Sequence, residues 1–151
     1  MNSEDHVWTE VFSEKQQRWI HADSCEEAWD NPTLYEKGWG KRMAYCIALS
    51  VEGTMDVTKR YVRDANKALP RDKLSEHDLK VLLDNITAIR CASLAPEEQA
   101  RIMDERDLET AELLSYSTAA TVSSGAAVGP RQSGAAEWTR ERGEDGEKRN
   151  D

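Results

Sequence analysis

Two residues of this 151-residue chain suit hydrolytic chemistry by type and position, His6 and Asp23. An aspartate that accepts a hydrogen bond from one imidazole nitrogen fixes the tautomer of the ring. The other nitrogen then stays open to act as a base toward a nucleophile. Whatever lies between the two residues must bring them together. Residues 7–12 and 18–21 are rich in β-branched and aromatic side chains, and residues 13–17 between them are polar. Two such runs around a five-residue connection predict a β-hairpin, with His6 at its start and Asp23 at its end. A nucleophile is not evident nearby. Cys25 would have to approach His6 from the side opposite Asp23, an awkward reach for so close a neighbour.

Trp8, Trp19, Trp29 and Trp39 fall close together in a chain with five tryptophans. They are either core aromatics or a wall on which a sugar ring stacks its axial hydrogens. Glu10 and Glu26 lie among them, as hydrogen-bond acceptors for sugar hydroxyls and amides or as plain surface charge. The three cysteines, Cys25, Cys46 and Cys91, are odd in number and widely spaced. They point to a reducing compartment with no disulfide framework. Cys46 and Cys91 read as buried packing. No paired Cys or His spacing suggests a metal site.

Beyond that hairpin, residues 42–51 alternate like a half-buried strand, Glu52-Gly53 turns, and residues 55–62 return with Met55, Val57, Lys59 and Tyr61 on one face. Asn31-Pro32 and Gly38-Trp39-Gly40 punctuate a loop between the hairpins. Ser75 with Asp78 predicts a capped helix start, and Leu79, Leu82, Leu83, Ile86 and Ile89 recur on one helical face. Pro96 opens a second helix to about Leu114, with a thin apolar stripe of Ile102, Met103, Leu108, Leu113 and Leu114. Residues 117–151 have only Val122, Val128 and Trp138 as sizeable apolar side chains and read as a disordered tail.

The formal charge of −9 argues against a nucleic-acid or anionic-membrane partner. It concentrates between Pro96 and Tyr116, where seven acidic residues face two arginines, the pattern of a solvated helix face. No run approaches the ~20 apolar residues of a membrane helix, and no basic-then-apolar leader is visible at the N-terminus.

Five ordered motifs resemble the transglutaminase-like core of the cytosolic peptide:N-glycanases. They are Asp5-His6-Val7-Trp8-Thr9-Glu10, Arg18-Trp19-Ile20-His21, Asp23-Ser24-Cys25-Glu26, Leu34-Tyr35-Glu36-Lys37-Gly38-Trp39-Gly40-Lys41 and Asp56-Val57-Thr58-Lys59-Arg60-Tyr61. Later, Pro130-Arg131-Gln132-Ser133-Gly134 with Trp138 is similar to a Gly-Arg-x-Ser/Thr-Gly…Trp segment of plant-type members, with Pro130 in place of the glycine. The resemblance implies an α+β, papain-like fold: a partial transglutaminase-like core over residues 1–63, a helical extension over 64–116, then the tail 117–151. It implies hydrolysis of the amide between N-acetylglucosamine and asparagine on misfolded N-glycoproteins during ER-associated degradation. His6 matches the general base and Asp23 its orienting carboxylate. Trp8, Glu10, Trp19, Glu26 and Trp39 match the active-site cleft, with Glu26 implied as a contact to chitobiose. Misfolded N-glycoprotein or glycan is the implied partner, with proteasome and ubiquitin-pathway proteins, in the cytoplasm and also the nucleus.

The family's nucleophilic cysteine and the two CxxC pairs that hold its structural zinc lie before the histidine strand. Neither has a counterpart here, so no cofactor is expected in this chain. The chain is expected to be the C-terminal part of such an enzyme and inactive alone. The alternatives are a non-enzymatic glycan- or partner-binding protein and, more distantly, a DNA-damage recognition protein of the same fold. The charge of −9 speaks against the last.

Overall fold

The computed structural model describes residues 6–116 and 129–146. β1 (Thr9–Ser13) and β2 (Arg18–Asp23) form the expected antiparallel hairpin, with Thr9 opposite Ala22 and Ser13 opposite Arg18. Strand side chains alternate between faces, so Glu10, Phe12, Trp19, His21 and Asp23 share one face. Phe12 and Trp19, directly opposite, meet edge to face with ring centroids 5.5 Å apart. β3 (Ala28–Trp29) adds a short third strand to β2.

The stretch read as a loop after β3 contains a π-helical turn, Leu34–Gly38, that turns Leu34, Tyr35 and Glu36 inward. The second hairpin is shorter than its alternation predicts: β4 (Ile47–Leu49) pairs with β5 (Thr54–Asp56). The return strand stops because the Asp56 carboxylate turns back on the chain. Its Oδ1 accepts from the Thr58 amide at 3.0 Å and from the Thr58 hydroxyl at 2.5 Å. A local side-chain acceptor of this kind competes with a sheet ladder. The short helix α1 (Thr58–Tyr61) follows, so the strand predicted through Tyr61 is corrected to a helix from Thr58.

α2 (Glu76–Cys91) starts where Ser75 Oγ accepts from the Asp78 amide, as the capping pattern predicts. Its buried stripe differs from the predicted one. Leu79, Leu83, Thr87 and Cys91 face inward, whereas Leu82 and Ile89 are exposed. The reason is the partner. α2 lies on β5 with Thr87 almost touching Gly53, where an added Cβ would stand 2.5 Å from the Thr87 hydroxyl. Thr87 Oγ1 also accepts from the Thr54 amide at 3.1 Å. Only small polar residues permit that approach. α3 (Pro96–Ser115) buries Ile102 and Leu113 and leaves Met103, Leu108 and Leu114 exposed.

The core comprises Leu34, Tyr35, Trp39, Met43, Cys46, Val57, Tyr61 and Leu113, with Trp8, Met55 and Tyr116 packed against it. It lies under the hairpin face that carries Asp23.

The expectation of a disordered tail is corrected for residues 129–146. They lie against the core and include α4 (Ala136–Glu141). Glu144 is fully buried and binds Lys41, Arg131 and Arg142. Arg131 is sandwiched between Trp39 and Trp138, 4.8 and 4.4 Å from the two ring centres, and Arg142 covers Trp138 at 4.7 Å. Charge pairing and cation–π stacking hold this segment where apolar area is scarce. The rest of the predicted tail lies outside the described residues.

Candidate active site

The β1–β2 register places Trp8 opposite Asp23, and His6 two residues earlier on the same face. A diagonal neighbour is within reach of a long side chain. His6 Nε2 lies 2.8 Å from Asp23 Oδ2. Both side chains are largely shielded, at 8% and 2% exposure. The imidazole is wedged among aromatic rings: stacked near Trp8 at 5.8 Å, edge-on to Trp39 at 4.8 Å and tilted against Tyr35 at 5.1 Å. With Nε2 donating to Asp23, Nδ1 carries the lone pair. It has no hydrogen-bond partner among the described residues.

Asp23 is saturated with donors. Oδ2 also accepts from the Tyr35 hydroxyl at 2.9 Å, and Oδ1 accepts from the amides of Cys25 at 3.0 Å and Glu26 at 3.3 Å. Burial alone would push its carboxyl up, but the hydrogen bonds from His6 and Tyr35 outweigh it and hold the group below the usual carboxylate range. It is therefore ionised at neutral pH. Behind Tyr35, His21 Nε2 lies 2.7 Å from the phenol oxygen.

His6 opens onto a cleft of about 510 Å³ between the two hairpins and α3. Trp8, Glu10 and Trp19 line one side, Cys46, Ile47 and Leu49 another, and Ile102, Arg106 and Glu109 the third. Glu105 and Glu52 add negative charge, so the walls favour a neutral ligand over a phosphate.

Of the residues singled out in the sequence, the structure brings His6, Asp23, Trp8 and Trp39 into one cluster and sets Trp19 in the cleft wall. Trp39 is fully buried, and so is a core ring and not an open stacking platform. Trp29 is exposed, and no ring contact joins it to the cluster. Both glutamates point to internal partners. Glu10 accepts from Arg60 at 2.7 Å and from the Tyr61 hydroxyl at 2.6 Å. The Glu26 carboxylate accepts from the backbone amides of Gln132 at 2.8 Å and Ser133 at 3.0 Å. Each carboxylate therefore already has internal donors, and Glu10 also lines the cleft.

Pattern reasoning missed Tyr35 and His21 as neighbours of the pair. His21 shares the face of Asp23 by strand alternation, which was a usable signal. For Tyr35, on a π-helical turn, alternation offers none, and its one signal is its place in the motif of residues 34–41.

No sulfur completes a triad. Cys25 is exposed, and only its amide meets Asp23. Cys46 Sγ faces Met43 Sδ at 3.9 Å, and Cys91 Sγ donates to the Glu52 carbonyl at 3.1 Å. The three thiols occupy separate environments and do not form a zinc ligand set. Among the described residues, no three His, Cys, Asp or Glu side chains are grouped to hold a metal. No helix among them is long and apolar enough to cross a membrane.

An α+β fold whose first hairpin presents a buried His–Asp pair to an aromatic cleft is built on the transglutaminase-like plan. The family model described as the Rad4 transglutaminase-like domain matches residues 1–114, and the chain belongs to that family. It is 47% identical over 145 residues to the peptide-N(4)-(N-acetyl-beta-glucosaminyl)asparagine amidase of Yarrowia lipolytica, covering 96% of this chain and 40% of that one. The amidase of the same name from Saccharomyces cerevisiae is 41% identical over 151 residues, covering 96% and 41%. That of Arabidopsis thaliana is 40% identical over 151 residues, covering 99% and 21%. The chain thus spans well under half the length of these curated relatives.

Proposed function

We propose that this chain carries the base and orienting carboxylate of an amidase acting on the N-acetylglucosamine–asparagine linkage of misfolded N-glycoproteins. The observation that carries the reading is the His6–Asp23 hydrogen bond of 2.8 Å, with Nδ1 open beside a tryptophan-lined cleft. The amidase relatives support it. In that reaction a cysteine thiolate attacks the amide carbon, and the imidazolium protonates the departing nitrogen. The glycosylamine leaves, and water cleaves the thioester to leave aspartate and restore the thiol. Asp23, held ionised, stabilises the imidazolium that forms between these steps. Trp8 and Trp19 supply apolar faces for the sugar. The reading carries with it a cytosolic and nuclear setting beside ubiquitin–proteasome proteins.

No thiol of this chain partners His6, so the chain alone is expected to bind and not to cleave. The test adds a chitobiosyl-asparagine peptide to the full chain and follows the indole and imidazole NMR signals. Shifts at Trp8, Trp19 and His6, lost in Trp19→Ala, are expected. No shift at millimolar ligand overturns the substrate assignment. Glycan release from a denatured glycopeptide, followed by mass spectrometry, overturns the expectation of inactivity. Binding that needs Trp19 and survives His6→Ala favours a glycan-binding role without catalysis.

A further inference from the structure

We propose that Tyr35 and His21 are positioning residues for the catalytic pair, a directional hydrogen-bond chain that fixes which lone pair of Asp23 is left for His6. The inference rests on the role just assigned to His6 and Asp23.

Proton counting fixes the direction of the chain. Asp23 is ionised and only accepts. The Tyr35 hydroxyl must therefore spend its one proton on Asp23 Oδ2, at 2.9 Å. Burial first, and then the hydrogen bond to Asp23, push the Tyr35 phenol far up, so that proton is retained. With its proton committed, the Tyr35 oxygen can only accept from the His21 ring nitrogen 2.7 Å away. His21 is then protonated at Nε2. Its Nδ1 is buried without a partner, and burial pushes the ring's pKa down. His21 is thus a neutral ring with one tautomer, 1% exposed, on a strand whose register it shares with Asp23.

This chain has a consequence at the carboxylate. Oδ1 is taken by the Cys25 and Glu26 amides, and Oδ2 is shared by Tyr35 and His6. Tyr35 approaches from the core and His6 from the cleft. The carboxylate cannot rotate without breaking at least three bonds, so one direction on Oδ2 remains for the imidazole. Tyr35 also packs against the His6 ring itself, at 5.1 Å between centroids. A packing role alone would need the ring but not the hydroxyl. Nothing in apolar packing requires a histidine at 21, whose unpartnered nitrogen is a cost there.

The experiment uses the full chain and needs no substrate. Carbon-13 NMR follows the Asp23 carboxylate against pH, and nitrogen-15 NMR follows the three histidines, with exposed His77 on α2 as internal control. Tyr35→Phe keeps the ring and removes the hydroxyl. It is expected to raise the Asp23 titration midpoint by about half a pH unit, the size of one modest hydrogen bond. It is also expected to erase the single-tautomer signature of His21, leaving His77 unmoved. An unchanged Asp23 midpoint with a folded spectrum overturns the proposal. If Tyr35→Phe fails to fold, His21→Leu and His21→Gln decide. Leu should raise the Asp23 midpoint, and Gln, which retains an N–H donor, should restore it. Equal midpoints in both variants and the native chain overturn it. Failure of glycopeptide binding would sink the substrate assignment and leave these readouts untouched, so the two failures are distinct.

Discussion

The opening hairpin and residues 129–146 reach the same aromatic core by opposite means. β1 and β2 are held by a five-pair ladder and by the rings of Trp8, just before β1, and His21 against Tyr35 and Tyr61. The C-terminal segment has little apolar surface and no sheet partner among the described residues. It is fixed by one buried carboxylate with three cations, one carboxylate that accepts two backbone amides, and alternating tryptophan and arginine planes. The hairpin therefore depends on shape and burial, and the segment on charge and its protonation. Arg60 links the first style to the second. It is itself buried, and it ties Glu10 of β1 to Glu109 and Glu112 of α3.

The sharpest way to break this contrast is Glu144→Ala. Lys41, Arg131 and Arg142 would face one another around an empty centre. Removing one partner of a buried ion network costs about 3–5 kcal/mol. Urea unfolding should show that loss, and Trp138 fluorescence should show the segment released, with the β1–β2 amide signals still in place. Loss of the hairpin signals as well would mean the two regions are not separable. Arg60→Met comes next, at about 3 kcal/mol by the same reasoning, since it strands three carboxylates. Here the hairpin itself should loosen at Glu10, seen as faster amide exchange in β1.

Acid sharpens the contrast further. Burial would raise the Glu144 carboxyl, but hydrogen bonds from Lys41, Arg131 and Arg142 outweigh it and hold it below its ordinary value of 4.5. A depressed folded value means the stabilisation is present above 4.5 and is lost as pH falls through the lower, folded value. Glu109 runs the other way, because burial raises its carboxyl despite Arg60. A raised folded value gives a contribution that is full below about 4.5 and lost as pH rises through the folded value. From pH 5 downward, the C-terminal segment should detach while the contribution of Glu109 at the α3 contact is retained. Simultaneous loss on a tryptophan and backbone NMR titration would contradict this. The smallest effect is expected for Cys25→Ser. Only the backbone amide of Cys25 serves Asp23, so stability should change by less than about 0.5 kcal/mol. The His6 signals should stay in place.

The same contrast explains what was legible in the sequence. The hairpin, its face and the His6–Asp23 pair follow from period-two alternation, a local signal. So do the capped start of α2 and the proline start of α3. The inward face of α2 departs from the apolar period because Thr87 is chosen by its approach to Gly53, a contact 34 residues away that no helical period encodes. The strand pattern past Asp56 gives way to a helix because one carboxylate redirects the backbone. Residues 129–146 looked unstructured because apolar content measures only one kind of adhesion. Arg131 between two indoles and Glu144 among three cations bind through long-range partners that composition does not see.

The clasp at Glu26 has a consequence for which substitutions the C-terminal segment tolerates. Its carboxylate reads the amides of residues 132 and 133 and no side-chain atom of either. Position 132 can therefore drift among most amino acids with the contact intact, since every one but proline brings the same N–H. Proline at 132 or 133 would delete a donor facing a buried charge. Across variants of this chain the clasp would be recorded as a missing residue type, a ban on proline, and not as a preferred one.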